Sequence, residues 1–318
     1  MTGSISRPHC SVIIRAYNEA DHIWRLLTGI NRQNVKDVEI ILVDSGSTDQ
    51  TINIAKAQMV RIVHISPEEF TFGRSLNRGI AQARSDFIVI ASAHVYPVYP
   101  DWLERLLAPF QDPNVALTYG KQRGNQASYF TERQIFQRWY PDRSELRQAH
   151  PFCNNANAAI RRVLWEQHPY DEALSGLEDI AWARWAIDQG YLLSYVSEAE
   201  VIHVHNETPR MIYNRYRREA MAFKRIFPQE NFHLIDLLRL VIFNVGDDLF
   251  QAVRQKELRR YFTSIFWFRW NQFWGTYQGY RQPGALTEQL RQTFYYPQGI
   301  QSKPQAIERS IEPINYPD

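Results

Sequence analysis

Three sets of residues in this chain have the types and spacing to do chemistry. Glu178-Asp179 follows Ser175-Gly176 and opens a run whose next turns are apolar and aromatic, with Trp182, Trp185 and Ile187. A carboxylate carried on a helix start at a cleft is a rigidly held candidate for a general base, although the helix dipole favours acids there without any chemistry. Asp44 ends the run Glu39-Ile40-Ile41-Leu42-Val43 and is followed by Ser45-Gly46-Ser47-Thr48-Asp49. Ligands of parallel sheets collect at the carboxyl ends of the strands, which puts Asp44 where a nucleoside would lie. Asp44 and Asp49 also suit plain turn and helix-capping roles. The third set is histidine: His94, just past the run ending Ala91-Ser92-Ala93, and the late pair His203 and His205. The pair is read as pointing to opposite faces of a strand, one residue meeting the cleft and the other structural. A cleft-facing imidazole can ligate a divalent ion or touch a diphosphate.

These groups need elements to position them. The apolar run 11–17 ends in Asn18-Glu19 and leads into the helical spacing Ile23, Leu26, Leu27, Ile30, so two early strand ends carry polar groups. Further strands are predicted at 60–65, 87–91, 115–119, 192–196 and 200–205, and helices at 75–83, 102–110, 161–167 and 178–189. The stretch 120–150 is polar and aromatic without a clear period. Strand–helix alternation argues for a parallel sheet with helices on both faces, since parallel neighbours need crossover connections. From Pro209 the pattern becomes helical. Leu234, Leu237, Leu238, Val241, Ile242 and Val245 read as a core stripe. Phe262, Phe266, Trp270, Phe273 and Tyr277, interrupted by Arg269, suit either a helix packed on the catalytic region or one lying on a membrane. The division expected is residues 1–208 as a catalytic domain and 209–318 as a helical region with an irregular tail after Tyr296.

Composition narrows the class. The chain has 318 residues, 44% hydrophobic and 14% aromatic, enough for one large core with an appendage. A formal charge of +2 gives no electrostatic case for nucleic acid, although basic residues are dense from Arg210 to Arg225. Cys10 and Cys153 are the only cysteines, too few for a disulfide framework or a sulfur-ligated zinc site, and a reducing compartment fits. Neither a signal-length apolar stretch before His9 nor a membrane-spanning run is seen, so a cytoplasmic protein, soluble or peripheral at the inner face of the plasma membrane, is expected. Tyr17-Asn18-Glu19 stands where a dinucleotide oxidoreductase would carry Gly-x-Gly-x-x-Gly, and a nucleotidyltransferase would need a Gly-rich basic first loop.

Together these residues resemble the family 2 glycosyltransferases of GT-A fold, and within them a bacterial rhamnosyltransferase-like branch, over about residues 11–206. Arg15-Ala16-Tyr17-Asn18-Glu19 is similar to the opening motif and Val43-Asp44-Ser45-Gly46-Ser47-Thr48-Asp49 to the next donor-binding motif. The implied fold is α/β, a mixed, mainly parallel nucleotide-diphospho-sugar transferase sheet with helices on both faces and a C-terminal helical extension. The resemblance implies that Tyr17 and Asp44 contact the base, with Glu19 and Ser45 in the same motifs, and that Arg74 and Asn77 reach the nucleotide. Leu76 replaces the family's usual Arg, which passes the cationic role to Arg74, with Lys121, Gln122 and Arg123 as secondary candidates. Asn155 and Asn157 belong to the acceptor half, where Asp179, beside Glu178, is the implied base. Ser92-Ala93-His94 takes the place of the Asp-x-Asp metal motif without its carboxylates, so a divalent metal, Mg2+ or Mn2+, would depend on His94 with His203 or His205.

The function expected is inverting transfer of a sugar, with rhamnose or another deoxysugar weighted by the family, from a nucleoside-diphosphate donor to a hydroxyl of a glycan or lipid-linked glycan. The alternative is a degenerate glycosyltransferase-like scaffold subunit, against which Glu178-Asp179 speaks. Arg215, Arg217, Arg218, Lys224 and Arg225 suit docking on anionic membrane, a solvated face or a homodimer contact alike.

Overall fold

A computed structural model describes residues 7–282. The first half alternates as the sequence demands: β1 (Cys10–Ala16), α1 (Ala20–Asn31), β2 (Val38–Asp44), α2 (Thr51–Ala57), β3 (Arg61–His64), α3 (Phe72–Ile80) and β4 (Phe87–Ser92). These strands lie parallel in the order β3-β2-β1-β4. Their continuous apolar character follows from being covered on both faces. Val12 and Ile14 of β1 face a core with Ile23, Leu26 and Leu27 of α1, while Ile13 faces the opposite core with Leu76 and Ile80 of α3.

The second half completes the sheet differently. It runs through β5 (Val95–Pro97), α4 (Trp102–Leu107), β6 (Val115–Arg123), α5 (Phe130–Trp139), β7 (Glu145–Gln148), β8 (Asn157–Arg161), α6 (Arg162–Gln167), α7 (Glu178–Asp188) and β9 (Leu192–His203). The sheet continues β4-β8-β6-β9-β5, with β7 also on β9. β8 is antiparallel to both β4 and β6, whereas β6 and β9 are parallel, so the sheet is mixed. The two late strands expected at 192–196 and 200–205 are one strand, β9, irregular in register against β6 between Gly120 and Gln122. The aperiodic stretch 120–150 holds α5 and β7, whose buried faces are short and set by distant partners.

Three helices follow: α8 (Pro209–Ile226), α9 (Leu234–Arg254) and α10 (Leu258–Tyr280). Thr208 caps α8, its hydroxyl accepting from Met211 N, with Pro209 at the first turn where a missing N–H costs nothing. α10 packs against α8 so closely that a Cβ at Gly275 or Gly279 would stand 2.4 Å from the carbonyl oxygens of Tyr213 and Arg217. Phe130 of α5 shares a core with Val245, Ala252, Tyr261 and Ile265, which ties the helical region to the sheet. Arg269 is buried and grips Asp248 through two hydrogen bonds of 2.8 and 2.9 Å, so it is an internal ion pair rather than an interruption of an outer face. The α9 stripe expected as core is split. Leu237 and Val245 are buried, but Leu234, Leu238 and Ile242 face outward. The tail after Tyr296 lies outside the described residues.

Candidate active site

The ends of β1, β2 and β4 open into one cleft, lined by Arg15, Tyr17, Glu19, Ser45, Ser92 and His94 on the sheet side and by His205, Glu207, Arg215 and Arg218 opposite. The first two loops are laced together. Thr48 N donates to Asn18 Oδ1 at 2.8 Å, Glu19 N to Thr51 Oγ1 at 2.8 Å, and Ala20 N to Asp49 Oδ2 at 3.0 Å. Asp49 also accepts from Thr51 N at 2.9 Å, so it serves the starts of both α1 and α2. Asp44 is buried and accepts from Gly46 N and Ser47 N at 3.1 and 3.2 Å, a turn at the strand end that carries Ser45 to the cleft wall.

Arg74 and Asn77, expected at the nucleotide, are held elsewhere. Arg74 Nε donates to Glu172 Oε2 at 2.7 Å, and Asn77 Nδ2 donates to Glu172 Oε1 at 3.0 Å and to the Tyr170 carbonyl at 2.9 Å. Neither lines the cleft; α3 is latched to the loop after α6 instead. The cations on the cleft are Arg15, Arg215 and Arg218. Arg215 and Arg218 come from the basic stretch, which does not form one charged face. Lys224 caps the carbonyls of Pro228 and Glu230, and Arg225 that of Ala173. Residues three apart on a helix share a face, which separates 215 and 218 from the rest. Lys121 and Arg123 pair with buried Glu200, leaving Gln122 to hold His203.

The second cavity, about 770 Å³, adjoins the first through His205 and Arg215, which line both. Its walls are aromatic, including Phe136, Trp139, Tyr140 and Tyr195, and Asp179 stands on them. Leu177, just before α7, adopts φ +57°, a left-handed conformation that costs a non-glycine residue ~1–3 kcal/mol and turns the chain sharply into Glu178-Asp179. Asp179 accepts from Asn155 N at 2.9 Å and Ile180 N at 2.8 Å. Burial first, and then the neighbouring Glu178 carboxylate, raise its pKa to about 7. Glu178 instead accepts from Arg15 Nη1 at 2.9 Å, a part-buried ion pair that joins β1 to α7. Asn155 orients both acids. Asn157, expected beside it on the acceptor side, is fully enclosed, accepting from Trp102 Nε1 and donating to the carbonyls of Lys121 and Ala199, and so fixes β8 in the sheet.

Of the late histidines only His205 lines this cleft, as expected of one of the pair, while His203 is buried and lines the aromatic cavity together with His205. β5 pairs antiparallel with β9 through Val95 and His203, which sets His94 beside them, and His205, two residues past the end of β9, joins the same group of rings. Val204 N donates to the His94 carbonyl at 3.2 Å. Ring centroids are 5.0 Å apart for His94 and His203, 5.4 Å for His94 and His205, and 4.1 Å for His203 and His205. Nδ1 of each ring meets an oxygen: Glu19 for His94 at 2.8 Å, Gln122 for His203 at 2.6 Å, and Glu132 for His205 at 2.6 Å. Burial alone would lower the His94 pKa, but Glu19 more than reverses this and raises it. Burial, with Arg215 next, lowers that of His205 to about 3, and burial with the other two imidazoles lowers His203 well below its usual value. One ring nitrogen from each residue lies within 4.8 Å of the others, and His203 Nε2 is buried with no hydrogen-bond partner. Imidazoles oriented through Nδ1 with an unsatisfied Nε2 fit a divalent cation.

The mixed sheet with helices on both faces and its strand-end cleft are those of the GT-A fold, as its likeness to solved glycosyltransferases shows. Solved structures with that arrangement include a mannosyltransferase, PcManGT from Pyrobaculum calidifontis, in complex with GDP-Man and Mn2+ (TM-score 0.59, 19% identity, 87% of this chain and 85% of that one). Glucosyl-3-phosphoglycerate synthase from Mycobacterium tuberculosis matches at TM-score 0.53 and 21% identity, over 71% and 82% of the two chains. Residues 11–168 match the model of glycosyl transferase family 2. The O-antigen chain rhamnosyltransferase WbaN of Salmonella anatum is 32% identical over 223 residues, 66% of this chain and 70% of the relative. RfbN of Salmonella typhimurium, of the same description, is 28% identical over 65% and 69%. The chain belongs to glycosyl transferase family 2 and is a glycosyltransferase of the rhamnosyltransferase-like kind.

Proposed function

We propose that this enzyme transfers a deoxysugar such as rhamnose, with inversion, from a nucleoside diphosphate bound in the cleft of Tyr17, Glu19, Ser45 and Ser92 to a glycan hydroxyl lodged in the aromatic cavity. The single observation that carries this is the position of Asp179, a carboxylate whose pKa lies at about 7, on the wall of a cavity that shares His205 and Arg215 with the donor cleft. With both oxygens fixed by backbone N–H groups, Asp179 keeps lone pairs for the acceptor hydroxyl and takes its proton as the hydroxyl attacks the anomeric carbon from the face opposite the diphosphate. Arg15, Arg215 and Arg218 stand where charge grows on the leaving diphosphate, the stage at which fixed cations lower the barrier most. The aromatic walls suit the apolar faces of sugar rings.

His94, His203 and His205 would hold a divalent cation, which when bound neutralises charge on the leaving group. The relatives named for O-antigen chains support a glycan acceptor; its lipid linkage and a peripheral place at the inner membrane face are part of the proposal. Among the described residues no helix is long and apolar enough to cross a membrane.

A thermal-shift screen of nucleoside diphosphates and their sugar conjugates tests the donor half, because a ligand that binds only the folded state raises the melting temperature. One nucleotide family should stabilise the chain selectively, and more so with cobalt, zinc or manganese than with magnesium, since imidazole suits those ions better. A cleft that responds to no nucleotide would refute the reading. Binding without any turnover of the conjugate would return the scaffold alternative.

A further inference from the structure

We infer that the outer face of the α9–α10 hairpin seats this enzyme on an anionic lipid surface. The inference rests on the proposed lipid-linked acceptor but is carried by a separate part of the molecule. On α9, Ile235 and Ile242 are each 73% exposed, with Phe243 and Phe250 at 67% and 59%; on α10, Phe266 and Trp270 are 43% and 47% exposed. Helices of a soluble protein ordinarily turn polar residues outward, and a contiguous apolar face of this kind marks an interaction surface.

Charge selects the occupant. The two helices and their joint carry four carboxylates, and every one is turned inward or spent. Asp236 accepts from His233 N, Asp247 pairs with Arg138, Asp248 with Arg269, and Glu257 with Arg133. The cations Arg239, Arg254, Lys256, Arg259 and Arg260 are exposed. Arg254 lies over the Phe250 ring at 5.8 Å, with its stem along apolar surface as in side chains that reach up to phosphate headgroups. Trp270 and Trp274 stack at 5.9 Å and Trp274 and Tyr277 at 5.6 Å, the residue types that favour the boundary between lipid and water. An apolar face whose fully exposed charges are all cations, the partly exposed Asp247 and Glu257 being paired, matches an anionic bilayer, and would repel a second copy of itself. Seated this way, α9 and α10 lie flat for roughly 30 Å each. α10 also packs on α8, which lines both cavities, so the face and the site belong to one rigid stack.

The test is flotation of the full chain with phosphatidylcholine vesicles and with phosphatidylcholine–phosphatidylglycerol vesicles. Wild type should float with the anionic vesicles and be released by salt. I242E/F266E should weaken that binding at least about tenfold, and R239E/R259E, which alters only exposed cations, should weaken it for anionic vesicles alone. Nucleotide-induced thermal shifts and donor hydrolysis, measured on the same samples, should be unchanged, so a failure here is separable from a failure of the proposed reaction. Wild type that floats with neither vesicle, variants that bind as tightly as wild type, or a wild-type dimer that I242E/F266E converts to monomer without any vesicle binding would each overturn the inference.

Discussion

Asp179 combines two properties that pull in opposite directions. Burial makes its charged form costly, while two backbone N–H groups hold the carboxylate in one orientation. An acid whose pKa lies near 7 is half-ionised at neutral pH, the condition in which a base has both the right form and useful strength. Under the proposed mechanism Asp179 must be deprotonated to act, so the transfer rate should rise with pH through about 7 and level off above it. A pH profile of kcat/KM measures this, and a rate independent of pH from 6 to 8 would remove the carboxylate from the mechanism. The expected site residues that line the cleft, Tyr17, Glu19, Ser45, Ser92 and His94, are those whose position follows from a strand end. Arg215 and Arg218 escaped sequence reading because their part depends on which way a distant helix faces. Arg74 and Asn77 do not line the cleft because Glu172, nearly a hundred residues later, holds both.

At the scale of elements, pairings between distant segments do most of the positioning. Three residues of β5 suffice to bring His94 against the end of β9, yet a strand so short leaves no periodic signal. α5 is similar: Phe130 and Ile135 are buried against α8, α9 and α10, and a local window shows only a polar, aromatic stretch. The α9 stripe had the right helical period but the wrong surroundings, since period reveals that a face is apolar and not what covers it. Gly279 shows how tightly the last helix is fitted. Gly279→Leu should cost ~1–3 kcal/mol in urea unfolding, because its side chain would run into the backbone of α8. Gly246→Ala on α9, where nothing lies within 4 Å, should instead stabilise by ~0.5–1 kcal/mol. Equal effects at the two sites would contradict the close α8–α10 packing.

At the scale of the whole molecule, the mixed sheet divides the labour. Its parallel half, β3-β2-β1-β4, ends in the loops of the first cleft, while β6, β7 and β9 with α5, α7, α8 and α10 enclose the aromatic cavity. The parallel half was legible because β1, β2 and β4 are largely apolar on both faces and α1 is amphipathic. The enclosing half was less so, because its antiparallel pairs and the inward turn of α8 are settled by contacts across the chain. The β4–β8 pairing sets the two halves in register, and the Arg15–Glu178 pair and the wall of His205 and Arg215 that both cavities share join them at the site. The most direct test of this arrangement is the single-turnover rate of sugar transfer by Asp179→Asn, with nucleotide affinity and melting temperature measured alongside. Loss of about 10² to 10⁴ in rate, with nucleotide binding and fold intact, is the expected result. Transfer near the wild-type rate by a folded variant would show that the proton leaves by another route and that the aromatic cavity is not where the acceptor reacts.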